Sequence, residues 1–281
     1  MANRDVPGNL GSMIIMIFLI ITLTTTLTYS AVTFNGVTSA TNTTSATGTS
    51  STSTNSSSVT SHPHPPVLDG FSQTQYGGKS CGDTLTTSKP DDVLVMIVGQ
   101  ENAGPIVGVT DTAGLSWQHR ASSAYNYTAT QADTLDEWYA ISASPLTGDN
   151  ITATFANSGS IGCSVLGVTG ANFASPFDPS VACPARTAVP QAAESSATTN
   201  SGTATICTSN PDDLLISSTW IRGGGDGATP ANFTVIAGGG DLSFNEAYRQ
   251  VSISQASLPL TWAFGGDSWA IIGDAITADG P

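Results

Sequence analysis

The chain has 281 residues, of which 21 are acidic and 7 are Lys or Arg, so its formal net charge is -14 at pH 7. A surface of this charge repels phosphate backbones, which excludes nucleic acid as a partner. Only 10% of the residues are charged, and the 29 Gly and 15 Pro are typical of a turn-rich all-β protein and exclude a helical bundle.

The first 35 residues are predicted to target the chain to a membrane. The run 13–34 carries no charged residue and is long enough to span a bilayer as one helix. The residues 28–30 also resemble the small-residue site at which a signal peptide is cleaved. We therefore interpret 1–35 as either a single-pass transmembrane anchor or a cleaved signal peptide, and a pilin-like N-terminus processed near Gly11 is a third alternative.

The segment 36–69 is predicted to be a disordered stalk. It consists almost wholly of Ser, Thr, Asn, Gly and Ala and ends in a His- and Pro-rich stretch. Such a composition cannot bury enough apolar surface to offset the entropy lost on ordering. The folded region is accordingly expected over 70–281.

Five Asn-x-Ser/Thr triplets predict an exported glycoprotein. Their acceptor residues are Asn42, Asn55, Asn126, Asn150 and Asn232. Acceptor triplets beyond a targeting segment favour export to the cell surface or secretion, with glycans on exposed loops.

The four cysteines are predicted to form two disulfides, because none has the spacing of a metal site and the segment before them predicts export. They are Cys81, Cys163, Cys183 and Cys207, and the sequence leaves their three possible pairings open. A zinc site is not expected, since the chain has three histidines and none shows ligand spacing.

An internal repeat organises the folded region. The segment 87–94, Thr-Ser-Lys-Pro-Asp-Asp-Val-Leu, returns at 208–215 as Thr-Ser-Asn-Pro-Asp-Asp-Leu-Leu. In both copies a Pro-Asp-Asp turn leads into an apolar run that is typical of a buried strand. The half-repeats are predicted over about 80–172 and 200–281.

The strand pattern predicts a single jelly-roll-type β-sandwich with strands from both halves in each sheet. Two tandem immunoglobulin-like sandwiches are the alternative. We favour one sandwich because Cys183 and Cys207 lie in or beside the segment that joins the halves, and linkers between independent domains seldom carry disulfides.

A set of short motifs resembles the β-sandwich, jelly-roll-like modules of secreted and cell-surface proteins of bacteria and archaea. The motifs lie at 90–94, 109–117, 138–140, 167–170, 175–178, 213–215 and 269–270. They mark turns and core positions, so the resemblance implies the fold and an extracellular location. It implies no catalytic residues.

Glu137 and Glu246 occupy equivalent places in the two halves, and each lies two residues before a tyrosine. We interpret them as strand-edge or turn residues rather than as the catalytic pair of a sugar-cleaving enzyme. Together with Trp138 and Tyr248 they are the candidate ligand contacts. No catalytic residue is expected, and His119 has no evident partner for nucleophilic catalysis.

Three glycine-rich segments are each followed by an aspartate, at 223–227, 238–241 and 265–267. Backbone carbonyls and a carboxylate in such loops can hold Ca²⁺, but none has the spacing of a calcium loop, so tight turns are expected instead. No cofactor and no metal are predicted.

The sequence therefore predicts a non-enzymatic, surface-anchored or secreted glycoprotein. Its β-sandwich would serve adhesion, recognition, or the structure of an envelope or filament. A carbohydrate-binding module is the alternative, and a glycoside-active enzyme is a third. The expected partners are the membrane, through the N-terminal helix, and a glycan or protein ligand, whose identity and the oligomeric state stay open.

Overall fold

The computed structural model describes residues 64–128, 131–223, 228–237 and 243–279. These residues form eleven β-strands and no helix, which confirms the all-β prediction. Within these ranges no helix is long and apolar enough to cross a bilayer. The predicted anchor, the stalk up to residue 63, and Asn42 and Asn55 lie outside the described residues.

The strands form two antiparallel sheets. The first six are β1 (Val67–Leu85), β2 (Asp92–Glu101), β3 (Ile106–Thr110), β4 (Gln118–Thr128), β5 (Gln131–Ser142) and β6 (Asp149–Thr169). The other five are β7 (Gln191–Ile206), β8 (Leu214–Ile221), β9 (Thr234–Ala237), β10 (Phe244–Gln250) and β11 (Leu258–Ile276). The first sheet has the order β1-β6-β2-β5-β4, with β3 paired to β6, and the second has the order β7-β11-β8-β10-β9.

Each sheet is built from one half of the chain, so the prediction that both halves contribute to each sheet, as in a jelly roll, is wrong. Strands pair with neighbours in their own half, and the chain crosses from one sheet to the other between β6 and β7. The alternative of two separate sandwiches is also wrong. One core cluster contains Val95 and Leu166 from the first sheet with Ile216 and Ile272 from the second.

The two sheets repeat one another strand by strand. The order of the first becomes the order of the second when β1, β6, β2, β5 and β4 are replaced by β7, β11, β8, β10 and β9. The repeated turn is the same in both copies: Asp91 and Asp212 have φ angles of 64° and 60°, a left-handed conformation that Asp tolerates. The internal repeat read from the sequence is therefore a repeat of structure.

The central strand β2 is buried on both faces. Val93, Val95 and Ile97 belong to the core between the sheets, whereas Leu94 and Met96 belong to a second core on the outer face of the first sheet. Side chains alternate between faces along a strand, so a strand covered on both sides has an uninterrupted apolar run. This explains why the apolar segment after the first Pro-Asp-Asp turn shows no alternation.

The second core exists because the β1–β6 ribbon folds back over its own sheet. Thr74 Oγ1 donates to Asp83 Oδ2 at 2.7 Å, although nine residues of straight strand would separate them by about 30 Å. The fold lies near Gly78, where the register of β1 shifts and φ is 154°. A disulfide between Cys81 and Cys163 joins the folded-back part to the sheet beneath it.

The β7–β11 ribbon folds back in the same way. A Cβ at Gly273 would lie 2.2 Å from Leu260 Cδ1 within the same strand, so the two ends of β11 lie one above the other. Trp262, from the folded-back part, donates from Nε1 to Ser217 Oγ of β8 at 2.9 Å. The molecule therefore has two central sheets, each covered on its outer face by its own doubled ribbon.

Candidate functional site

A set of polar side chains crosses the core between the sheets. We call it the polar seam, and it consists of Arg120 on β4, Glu137 on β5, Ser164 on β6, Glu246 on β10 and Asp274 on β11. All but Arg120 are at most 1% exposed. Buried charged groups are costly unless they are paired, so the contacts within the seam decide what it can do.

Two direct contacts tie the sheets together along this seam. Arg120 donates to Asp274 through Nε at 2.7 Å and through Nη2 at 3.1 Å, a two-point ion pair between β4 and β11. The guanidinium also lies 4.0 Å from the ring centre of Phe177. On the other side, Ser164 Oγ donates to Glu246 Oε2 at 2.6 Å.

The acidic groups of the seam hold protons more tightly than exposed carboxyls do. Burial raises the pKa of Glu137 well above its ordinary value, and the neighbouring Asp274 and Glu246 raise it further, whereas Arg120 opposes the rise. Burial also raises the pKa of Glu246 to about 7, against the hydrogen bond from Ser164. The interior of the seam therefore favours the protonated form of both glutamates.

A second pair of buried carboxyls lies in the repeated turns. Asp92 and Asp213, which end the two Pro-Asp-Asp motifs, are both 0% exposed. Burial, with the neighbouring Asp69, raises the pKa of Asp92 to about 6, although Thr87 opposes the rise. Burial, with the neighbouring Asp178, raises the pKa of Asp213 to about 8.

The acids beside these turns are held by backbone donors in both copies. Asp69 Oδ2 accepts from the N–H groups of Ser88 and Lys89, each at 2.7 Å. Asp178 accepts in the same way from Ser209 at 2.9 Å and from Asn210 at 2.8 Å. Each turn is thus held by one acid that accepts backbone hydrogen bonds, and beside it lies a buried acid whose pKa is raised.

A cavity of about 660 Å³ opens next to the first of these turns. Its walls include the apolar side chains of Val67 and Phe173 and the polar side chains of Lys89 and Asp91. No member of the polar seam lines it. This cavity has the size and the mixed lining of a small-molecule site.

The four candidate ligand contacts do not form one site. Glu137 and Glu246 lie in strands flanked on both sides and are buried, so the prediction that they occupy strand edges or turns is wrong. The register confirms their equivalence, because Glu137 pairs with Ile97 and Glu246 with Ser218, which are the fifth residues after the two Pro-Asp-Asp motifs. Trp138 points to the opposite face of β5 from Glu137, and Tyr248 packs against the central core.

The cysteines form the two predicted disulfides, Cys81 with Cys163 and Cys183 with Cys207. The acceptor residues Asn126, Asn150 and Asn232 are exposed. The glycine-rich segments 223–227 and 238–241 lie largely outside the described residues. Within the described part of the chain, no group of three or more His, Cys, Asp or Glu residues is arranged to hold a metal ion.

Sequence reasoning missed Arg120 and Asp274. Asp274 shares its strand face with Ala270, Ile272 and Ile276, so an acid stands at an inward position of an otherwise apolar face. That pattern was a usable signal for a buried, partnered carboxyl. Nothing in the sequence indicated which base would reach it, because Arg120 lies 154 positions away.

Fold and site together define the class of this protein as an all-β, sandwich-like domain with two disulfides and a buried polar seam. Protein-family models, curated proteins and solved structures contain no match to the chain. Of the resemblance to surface modules, the structure therefore supports the all-β, sandwich-like fold.

Proposed function

We propose that the chain is an exported glycoprotein whose β-sandwich is displayed at the cell surface for adhesion or for the structure of an envelope or filament. The observation that carries this proposal is the pair of disulfides, since such bonds persist in oxidising compartments outside the cytoplasm. Cys81 and Cys163 are both 0% exposed, as expected of a bond that is structural rather than reactive.

The surface of the domain supports the same proposal. The three described acceptor asparagines are exposed, which leaves them accessible to glycosylation. Among the described strands, β1 pairs with β6 alone, so its other edge presents backbone groups to which a strand of a second molecule can pair. An edge of this kind suits assembly better than catalysis.

Surface display predicts that Lys79 and Lys89, both exposed, react with a membrane-impermeant amine reagent on intact cells that express the full-length chain. Alkylation without reductant is expected to leave all four cysteines unmodified. A cytoplasmic protein that reacts only after lysis is the control. Labelling of the two lysines only after lysis, or alkylation of free cysteines, would show that the chain is not exported.

The cavity beside the first turn favours a second candidate function, recognition of a small ligand such as a sugar. Phe173 offers an aromatic face, and Lys89 and Asp91 offer a donor and acceptors. On a glycan array we expect Phe173→Ala to weaken any binding at least about tenfold. Val181→Ala is the control, because Val181 is exposed and does not line the cavity, and equal binding by both variants would place the ligand elsewhere.

A further inference from the structure

The outer edge of β1 over residues 70–78, which we call the β1 edge, lacks the features that usually protect an exposed strand. Among the described strands β1 pairs with β6 alone, and register shifts before Gly70 and after Gly78 delimit a regular stretch about 30 Å long. This stretch contains no charged residue and no proline. Exposed edges are normally guarded by charges, prolines or bulges, so an unguarded edge of this length indicates a surface for strand pairing.

The side chains along the β1 edge are held in place by the rest of the chain. Ser72 and Thr74 both donate to Asp83 in the folded-back part of β1. On the other face, Gln73 Nε2 donates to the carbonyl oxygen of Phe244 in the facing sheet at 3.4 Å. A strand that is ordered before binding loses little conformational entropy when a second strand pairs with it. The β1 edge is therefore preorganised for pairing.

The other described edges are covered, short or irregular. β4 and β7 lie beside each other, since Ser123 Oγ on β4 donates to the carbonyl oxygen of Ala193 on β7 at 3.1 Å. β4 also carries the acceptor Asn126 and two register shifts. β3 has five residues and β9 has four. Since short and irregular strands pair poorly with a second molecule, pairing is most favourable at the β1 edge.

The charge of the chain favours contact between copies at this neutral stretch. Two copies with a net charge of -14 repel one another wherever their acidic groups meet. This repulsion is screened over about 8 Å at physiological salt, so a neutral strand can approach another neutral strand closely. A charged partner would find no group of opposite charge on the β1 edge. An identical edge, by contrast, offers the complementary pattern of backbone donors and acceptors.

We propose that two copies of this chain pair through their β1 edges, antiparallel and about a two-fold axis, so that their first sheets join into one. The inference rests on the proposed role in adhesion or assembly and identifies the partner as a second copy. Phe71 adds apolar contact to the backbone hydrogen bonds. Its register partner Leu166 belongs to the core between the sheets, yet Phe71 is 38% exposed, and the incoming strand would cover it.

The direction of the strands determines which surfaces the pair can connect. In an antiparallel pair the two β1 strands begin at opposite ends of the joined edge. His64 and Pro65, which precede β1, then leave the pair in opposite directions in the two copies. This arrangement suits contact between molecules displayed on two facing surfaces, whereas a parallel pair would suit neighbours on one surface.

Hydrogen exchange of the purified full-length chain in neutral detergent, at about 1 μM and about 100 μM, tests the pairing. At the higher concentration we expect amides of residues 70–78 to exchange at least about tenfold more slowly, and amides of β4 to be unchanged. Sedimentation at the same concentrations should show monomer and dimer. Equal exchange of the β1 edge at both concentrations would overturn the proposal. Because purified protein is used, that failure would leave the surface-labelling test of export unaffected.

A single substitution separates the edge from the fold. Phe71→Lys places a positive charge on the β1 edge of each copy, so we expect the dimer and the protection at 70–78 to be lost. Val107→Lys is the matched control, because it makes the same kind of change at an exposed apolar residue of β3 in the same sheet. Loss of the dimer in both variants, or in neither, would contradict pairing through the β1 edge. The exchange measurement on the unmodified chain stands even if Phe71→Lys does not fold.

The orientation is tested by the distance between two spin labels attached to Val67→Cys, at an exposed position three residues before the paired stretch. Antiparallel pairing over the whole stretch places the two labels about 45 Å apart. Parallel pairing in register would place them within about 10 Å, because neighbouring strands are about 5 Å apart. A short distance would therefore overturn the antiparallel arrangement and the contact between facing surfaces.

Discussion

The free energy of unfolding of this domain is expected to fall as the pH rises from about 5 to about 8. The cause is the group of buried carboxyls with raised pKa values: Asp92 at about 6, Glu246 at about 7 and Asp213 at about 8, with Glu137 also raised. Each binds its proton more tightly in the folded chain than in the unfolded one, where the pKa is about 4.

The sign follows from which state holds the proton. Below about pH 4 both states are protonated at these groups, and the stabilisation from the raised pKa is complete. It is lost as the pH rises through the folded-state values, by up to about 1.4 kcal/mol per pH unit for each carboxyl that is protonated only in the folded state. Asp69 has the opposite effect on the free energy of unfolding. Burial would raise its pKa, but hydrogen bonds from Ser88 and Lys89 outweigh burial and lower it, so the stabilisation from Asp69 is lost as the pH falls into the acidic range.

Denaturant titrations at about pH 5, pH 6.5 and pH 8 measure this dependence. Asp213→Asn keeps the shape of the protonated side chain and cannot ionise, so it should flatten the dependence and raise the free energy of unfolding at the highest pH. Asp212→Asn is the matched control: it makes the same change one residue earlier, at a partly exposed position. A free energy of unfolding that is constant or rises with pH would contradict the expectation.

The repeat and the buried strands could be predicted from the sequence because both depend on local patterns. A Pro-Asp-Asp turn that precedes an apolar run is visible within eight residues, and β2 and β8 follow it in the structure. Pairing of the strands is different in kind, since it depends on contacts between distant residues. Nothing local indicates that β6 pairs with β1 over its whole length, or that both long ribbons fold back over their sheets.

The polar seam shows that local sequence patterns are equally limited in predicting a site. Alternation indicates that Glu137 and Leu135 share one face of β5, but not whether that face meets solvent or a second sheet. The position of the second sheet decides this, and it places Asp274 and Glu246 close enough to raise the pKa of Glu137. The residue types were visible in the sequence, whereas their burial was a property of the tertiary fold.

Replacement of Gly99 by Ala is expected to destabilise the domain by roughly 3 kcal/mol or more, because overpacking of a closed core displaces side chains and backbone. A Cβ at Gly99 would lie 2.0 Å from Cε3 of Trp220, which is fully buried in the facing sheet. The internal repeat explains this contact. Gly99 and Trp220 are each the seventh residue after the Pro-Asp-Asp motif of their own half, so equivalent positions of the two repeats meet in the core.

Denaturant titration of both single variants and of the double variant measures this complementarity. Trp220→Leu alone should cost about 2–4 kcal/mol through the space it leaves, and Gly99→Ala should cost far less in the Trp220→Leu background, because the atoms it collides with are gone. Gly108→Ala in β3 is the matched control, since a Cβ there meets no atom within 4 Å. Additive effects of the two core substitutions would contradict the expectation. Coupling between them would show that the small residue at position 99 and the large one at position 220 are packed as a complementary pair across the two sheets.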